Sequence, residues 1–503
     1  MSASTSERPN ILIIYADQMR YDTMACAGNP VVKTPYLDRL AMEGVRFSEA
    51  YVSYPLCTPF RAALFSGKYA QGHGLFQNHF PLDVNQDFLP QILKESGYHT
   101  GYIGKWHLEG GPKPGYVPPG ERRIGFDHFI GFNRGHQYLQ SIYYKDTDQP
   151  YHCKRYEPDY QTDQLIEFIE TSVAKDDGNP FFGFICYGPP HHPMVMPEYI
   201  RKMYDPEEVP LPPGVPNPDL QVETQRRRLE FDCNGNEKAH LASKVPGIKK
   251  KPGEPETEAE IRRFIAEYYG MVSNVDHNVG RVLNRLDALD VAENTLVIFL
   301  SDHGDMMGQH GYYCGFKPTG YRAAMQVPFI VRYPARVAGG RVADALVDIS
   351  VDSMPMILEM LGLRIPNAVQ GTSYLSVLDG KSDATRDAVM YQVMKQNDGA
   401  KGEFTPVPER GIRTRDWLYV RQPTRRKMLF DLDADHDELN DLSGDSRYES
   451  IMENLDARIF RHMEATDDDW NLCMDFPPPG FLTHAEGQAH LEKELEERAI
   501  IVP

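Results

Sequence analysis

The chain has 503 residues, more than one simple core accommodates, so one large domain with a smaller companion is the expectation. Its formal net charge of −19, from 53 basic and 72 acidic residues, argues against a general nucleic-acid or anionic-membrane binder, since both need a cationic face. A small anionic substrate remains compatible, because a few buried cations dominate one cleft whatever the net charge.

The opening M-S-A-S-T-S-E-R-P-N lacks the charged and apolar regions of a signal peptide, and no apolar run approaches the roughly 20 residues of a membrane helix. The seven cysteines, Cys26, Cys57, Cys153, Cys186, Cys233, Cys314 and Cys473, lie far apart without a C-x-x-C. That is neither a disulfide framework nor a zinc knuckle, and a reducing, cytoplasmic setting is expected.

The first element, N-I-L-I-I-Y-A-D at 10–17, is a short continuous apolar run, the pattern of a buried strand in a mostly parallel sheet. At C-T-P-F-R, residues 57–61, Pro59 suits the first turn of a helix whose N–H groups would face an anion near Cys57. A helical pattern at 89–97 precedes a strand at 99–105, and a further strand follows at 181–187. Residues 205–257, rich in Pro and charge, read as an insertion over an edge or the mouth of the sheet, with Lys249, Lys250 and Lys251 on a solvated face. The clearest helix spans 257–290 with Thr257 as N-cap, and a last buried strand covers 295–302. Strands alternating with helices predict an α/β sheet covered by helices on both faces.

Near residue 380 the texture changes, which divides the chain into 1–380 and 381–503. The second part shows short strands in A-V-M-Y-Q, G-I-R-T-R-D-W-L-Y-V-R and K-M-L-F-D-L-D, the pattern of a small antiparallel sheet. Its tail from about 470 is Pro-rich and then amphipathic, a candidate contact between copies of the chain.

Ligands of open α/β sheets bind beyond the carboxyl ends of the strands. Those ends carry Asp17 and Gln18, then Lys105, Trp106 and His107, then His191 and His192, then Asp302 and His303. Each alone reads as a turn or cap residue; four together read as a site. Asp17, Gln18, Asp302 and His303 offer donors for a divalent cation. Arg61, Lys105 and Lys317 are suited to surround a tetrahedral oxyanion, and His107 and His191 to move protons. Asn78 either faces substrate or serves a turn. Trp106, Tyr138 and Tyr312 either line the substrate or fill the core.

C-T-P-F-R, G-K-W-H-L and S-D-H-G-D, in this order, resemble the sulfatases of the alkaline phosphatase superfamily, from residue 9 to about 335 and more weakly to about 442. The resemblance implies the alkaline phosphatase-like fold and conversion of Cys57 to formylglycine by a formylglycine-generating enzyme. The hydrated aldehyde would then attack the sulfur of a small-molecule or saccharide sulfate monoester. It assigns Asp17, Gln18, Cys57, Asp302 and His303 to the metal, and Arg61 to holding the formylglycine. Lys105 would bind sulfate, and His107 would handle the diol proton. His191, rather than His192, would contact sulfate near the leaving group, whose oxygen falls to Lys317. Calcium is the metal the resemblance implies first; Gln18 and His303 replace a common Asp and Asn, so the cage loses a charge and gains a nitrogen ligand, which makes manganese the second expectation. Phe60 stands where the motif most often has Ser. The alternative activity for the same residues is hydrolysis of phosphonate monoesters or phosphodiesters.

Overall fold

The run Asn10–Asp17 lies in the middle of an eight-stranded sheet in the computed structural model, which describes residues 8–78, 80–111, 113–221, 245–249, 254–383, 386–396, 407–474 and 500–502. Across this sheet the strands run in the order Arg341–Ala343, Val45–Phe47, Phe329–Arg332, Thr295–Ser301, Asn10–Asp17, Phe181–Pro190, His99–Lys105 and His128–Phe132. Only Phe329–Arg332 is antiparallel to its neighbours. The central strands therefore all deliver their carboxyl ends to one edge.

Side chains alternate across a strand, and Asn10–Asp17 uses both faces. Ile11, Ile13 and Tyr15 join one core with Phe60, Leu64, Met354 and Leu358; Leu12, Ile14 and Ala16 join the other with Leu165, Ile169, Val275 and Val279. Burial on both sides explains why the run is apolar without interruption. The second core is closed by helix Glu258–Ala288, whose start carries the expected cap: the Thr257 side chain accepts from Glu260 N–H and the Glu260 side chain returns the bond. Among the described residues no helix is long and apolar enough to cross a membrane.

Helix Cys57–Ser66 is buried along its whole length between the sheet and helix Ile349–Met360. It ends at Gly67, where two constraints require glycine: a left-handed φ of 65°, and the closeness of Val369, which a Cβ at this position would meet at 2.9 Å.

The strands expected after residue 380 form a four-stranded antiparallel sheet of Val389–Val393, Glu409–Arg413, Trp417–Arg421 and Arg426–Asp431. One face carries helix Glu449–Ala465 through Met452, Leu455 and Ile459. The other packs Val389, Tyr391, Leu418 and Val420 against Tyr51, Tyr54 and Leu56. It thus braces the segment that leads into Cys57. Much of the expected insertion (222–244 and 250–253, including Lys250 and Lys251) and the tail 475–499 lie outside the described residues.

Candidate active site

Strand Asn10–Asp17 ends in a turn at Gln18, whose φ of 67° is costly for a residue other than glycine. Two bonds hold the turn. The Gln18 N–H donates to Asp302 Oδ1 at 2.9 Å, and its carbonyl accepts from the Tyr268 hydroxyl. The side chain is then fixed by Asp305: Gln18 Nε2 donates to Asp305 Oδ2 at 2.6 Å, while Gln18 Oε1 accepts from Lys317 Nζ at 3.0 Å. Asp305 is itself held by the N–H groups of Met307 and Gly315.

Cys57 opens its helix in the middle of these groups. Its Sγ lies 3.7 Å from Asp17 Oδ1, 3.3 Å from His303 Nε2 and 3.5 Å from Lys317 Nζ. The next residue ties the helix start down: Thr58 N–H donates to Asn78 Oδ1 at 3.1 Å, and Thr58 Oγ1 donates to the His107 carbonyl at 2.8 Å. Asn78 therefore caps the helix start. Burial and Asp17 push the Cys57 thiol up, but Lys105 and Lys317 outweigh them, and it stands below its ordinary value.

One ligand atom from each of Asp17, Cys57, Asp302 and His303 falls within 4.8 Å of all the others, and all four residues are buried. His303 Nδ1 faces the Gly304 carbonyl at 3.1 Å, which turns Nε2 into the cluster, 3.1 Å from Asp302 Oδ2. That Asp302 oxygen pairs with His303 Nε2 and accepts no other hydrogen bond among the described residues. Burial raises the Asp17 carboxyl, yet Lys105 and Arg61 pull it well below the usual range, so it stays charged. Burial lowers the His303 imidazole and Asp302 more than offsets it, to about 9. Two carboxylates, one oriented imidazole and an amide oxygen fit a divalent cation, which would compete with that proton.

Cations close the other side. Lys105 Nζ donates to Asp17 Oδ2 at 2.7 Å and lies 3.0 Å from His136 Nε2. Lys317 Nζ donates to His191 Nε2 at 2.7 Å. His191 is anchored by its N–H on the Asp17 carbonyl at 3.0 Å and by Nδ1 on the His192 carbonyl. Burial, then His136 and Lys317, hold the His191 imidazole well below its ordinary value, so it is neutral and accepts at Nε2. Arg61 lies beneath: it donates to Asp17 Oδ2 at 3.2 Å and to the Lys105 carbonyl at 2.6 Å, with its guanidinium 4.5 Å from the Tyr15 ring centre. It clamps the helix to two strand ends. His107, at a φ of 58°, is buried beside the helix start through its carbonyl.

The structure thus gathers Asp17, Gln18, Cys57, Lys105, His191, Asp302, His303 and Lys317 into one buried cluster. His192 stacks on His191 at 4.2 Å without a contact to Cys57 among those described. Trp106 and Tyr138 are core residues; Tyr138 donates its hydroxyl to the His191 carbonyl. Tyr312 stacks on Phe316 at 4.5 Å. Phe60 points into the core, 5.9 Å from the Tyr15 ring.

Two site residues escape the sequence reading. Asp305 ends S-D-H-G-D, where the sequence pattern assigns it no task. His136 lies in N-R-G-H-Q-Y, just after strand His128–Phe132, and its ring stacks on His191 at 3.9 Å. The signal is present in the chain: this is one more strand end carrying a titratable side chain, on a strand too short to stand out as an apolar run.

A parallel sheet whose strand ends gather carboxylates, imidazoles and ammonium groups around a helix-opening residue defines an alkaline phosphatase-like hydrolase of anionic esters. The family profile described as Sulfatase matches residues 9–363, and that of the N-sulphoglucosamine sulphohydrolase C-terminal region matches residues 308–465. An ulvan-active sulfatase of Formosa agariphila is 31% identical over 468 residues, covering 92% of this chain and 82% of its own. An N-acetylglucosamine-6-O-sulfatase of Bacteroides thetaiotaomicron is 26% identical over 497 residues, covering 90% and 85%. The solved structure of yidJ from Bacteroides fragilis superposes with a TM-score of 0.75 at 28% identity, covering 93% of this chain and 98% of its own. The chain belongs to the sulfatase family and is a sulfuric ester hydrolase.

Proposed function

We propose that the protein hydrolyses sulfate monoesters of saccharides, with Cys57 converted to formylglycine and a divalent cation held by Asp17, Gln18, Asp302 and His303. The observation that carries this reading is the position of Cys57 Sγ between the cation-binding cluster and the Lys317 ammonium, 3.3 Å from His303 Nε2 and 3.5 Å from Lys317 Nζ. The saccharide part rests on relatives named for ulvan and for N-acetylglucosamine 6-O-sulfate.

Formylglycine at residue 57 would supply a hydrated aldehyde as nucleophile, and a cation, calcium first and manganese second, would neutralise charge on the sulfate. The remaining work belongs to side chains of this chain. Lys105 and Lys317 bind the sulfate oxygens from two sides, and Arg61 keeps Asp17 charged and in place. Lys317 Nζ, directed by its 2.7 Å bond to neutral His191, gives a proton to the leaving alcohol oxygen. His107 acts as base beside residue 57.

Mass spectrometry of the Cys57 peptide, from protein made together with a formylglycine-generating enzyme, is expected to show aldehyde in place of thiol. Unmodified cysteine in fully active protein would overturn the mechanism. Turnover of an aryl sulfate, a phosphodiester and a phosphonate monoester on one preparation is expected to favour the sulfate. A preference for either phosphorus ester by orders of magnitude would replace this reading with the alternative.

A further inference from the structure

His136, to which no motif of the chain points, touches both halves of the cationic side of the site. Its Nε2 lies 3.0 Å from Lys105 Nζ, and its ring lies parallel to that of His191, 3.9 Å away at an angle of 9°.

The partners of this ring place its proton. The Tyr138 hydroxyl carries one proton and a carbonyl can only accept, so the 2.5 Å bond to the His191 carbonyl uses that proton. The 2.9 Å contact between the same hydroxyl and His136 Nδ1 is therefore donated by Nδ1–H. Burial, then Lys105, hold the His136 imidazole well below its ordinary value, so it is neutral and carries that one proton. The lone pair of Nε2 is left to accept from the Lys105 ammonium, which can only donate. Tyr138 is fully buried, and Gly188 makes room for it: a Cβ there would stand 2.7 Å from the Tyr138 ring and 3.4 Å from His136 Nδ1.

The other half repeats this arrangement. His191, with Nδ1 on the His192 carbonyl, accepts at Nε2 from Lys317 Nζ at 2.7 Å. Each ammonium is thus spanned between an imidazole nitrogen and an oxygen of the cation-binding side. Lys105 lies between His136 and Asp17 Oδ2 at 2.7 Å, and Lys317 between His191 and Gln18 Oε1 at 3.0 Å. Two bonds on a tetrahedral nitrogen fix the direction of its third N–H, and the stacked rings set the spacing of the two ammonium groups.

Building on the sulfatase reading, we propose that His136 is a positioning residue for sulfate binding: its Nε2 aims the Lys105 ammonium at the sulfate oxygens, as His191 aims Lys317. Without it the ammonium keeps its bond to Asp17 but turns about that bond, and the anion must then order it on binding.

Three substitutions separate this role from packing. His136→Gln brings an amide oxygen to the place of Nε2; His136→Asn reaches only the place of Nδ1, beside Tyr138; His136→Phe keeps the stacked ring without an acceptor. Two readouts apply: turnover of an aryl sulfate by protein made together with a formylglycine-generating enzyme, and calorimetric binding of inorganic sulfate to Cys57→Ala protein carrying the same substitutions. His136→Asn and His136→Phe are expected to weaken sulfate binding and lower kcat/KM by about ten-fold or more, mainly as a rise in KM. His136→Gln should stay within about three-fold of the parent on both readouts. Thermal melts check that each variant folds, and the contrast between Gln and Asn decides alone if the Phe variant does not. Parent-like binding in His136→Asn, equal losses in Gln and Asn, or a fall in kcat with sulfate binding unchanged would each overturn the positioning role. Aryl sulfate turnover indifferent to residue 136 would do so while leaving the proposed activity intact. Hydrolysis of a phosphonate monoester in place of the sulfate, with the same contrast between Gln and Asn, would sink the sulfate reading and leave the positioning role standing.

Discussion

Gln18 shows how one residue's task is set by another that touches no substrate. Its amide would present oxygen to the proposed cation only while Nε2 is bound by Asp305 Oδ2. In Asp305→Asn one side-chain oxygen can still receive the Met307 and Gly315 N–H groups, but an amide NH₂ then faces the Gln18 NH₂. Calcium affinity, read by titration calorimetry, is expected to fall about 10–100-fold, the usual effect of losing such a supporting bond. An unchanged affinity would remove Gln18 from the cation site. Phe60 carries a prediction of the opposite kind. It fills the core against Tyr15 and is fully buried. Phe60→Ser, which restores the more common motif residue, is expected to cost about 3–5 kcal/mol in denaturant unfolding, through a cavity and a buried hydroxyl. A cost below about 1 kcal/mol would show that the site repacks.

Among elements, helix Pro35–Glu43 receives its cap from a neighbour. Asp276, on helix Glu258–Ala288, accepts from the Tyr36 N–H at 3.0 Å and the Leu37 N–H at 2.7 Å. Burial nevertheless pushes its carboxyl up to about 7 from an ordinary 3.8, the two amide donors only partly offsetting it. The folded protein therefore holds a proton that the unfolded chain releases, and stability from this group is present below about pH 4 and lost as pH rises to about 7. Asn cannot titrate and keeps an acceptor oxygen. Asp276→Asn is thus expected to be more stable than the parent at pH 8, by on the order of 2–4 kcal/mol, with the difference vanishing near pH 4. Thermal melts at the two pH values check this, and a difference independent of pH would refute it. At the same scale, the antiparallel sheet after residue 380 packs against Tyr51, Tyr54 and Leu56, so it supports the approach to Cys57 as well as closing the fold.

For the molecule as a whole, a cation bound only by the folded state adds stability by mass action. Calcium at about 100 times its dissociation constant is expected to stabilise the protein by about 2.7 kcal/mol, and a chelator to reverse the gain. Cys57→Ala should keep most of this response while abolishing turnover, since Asp17, Asp302 and His303 remain. A melting temperature indifferent to calcium, manganese and chelator would refute the cation site.

The sequence alone determined the central strands, because burial on both sheet faces writes an uninterrupted apolar run such as N-I-L-I-I-Y-A-D. It determined the start of the Cys57 helix through Pro59, the Thr257 cap, and the polar strand ends, because these are local patterns a few residues long. It also determined the family, through three motifs in a fixed order. Tertiary structure alone decided which of these groups meet. Lys317 reaches Cys57 across 260 positions, His136 joins Lys105 because strand His128–Phe132 pairs beside His99–Lys105, and Asp305 fixes Gln18 from 287 positions away. Tertiary structure also turned Phe60 into the core and Asn78 onto the helix start. Periodicity and turn chemistry report each residue's own surroundings along the chain, whereas strand order, register and rotamer set its partners. Those partners decide whether a strand-end side chain binds a cation, holds an anion or supports another group.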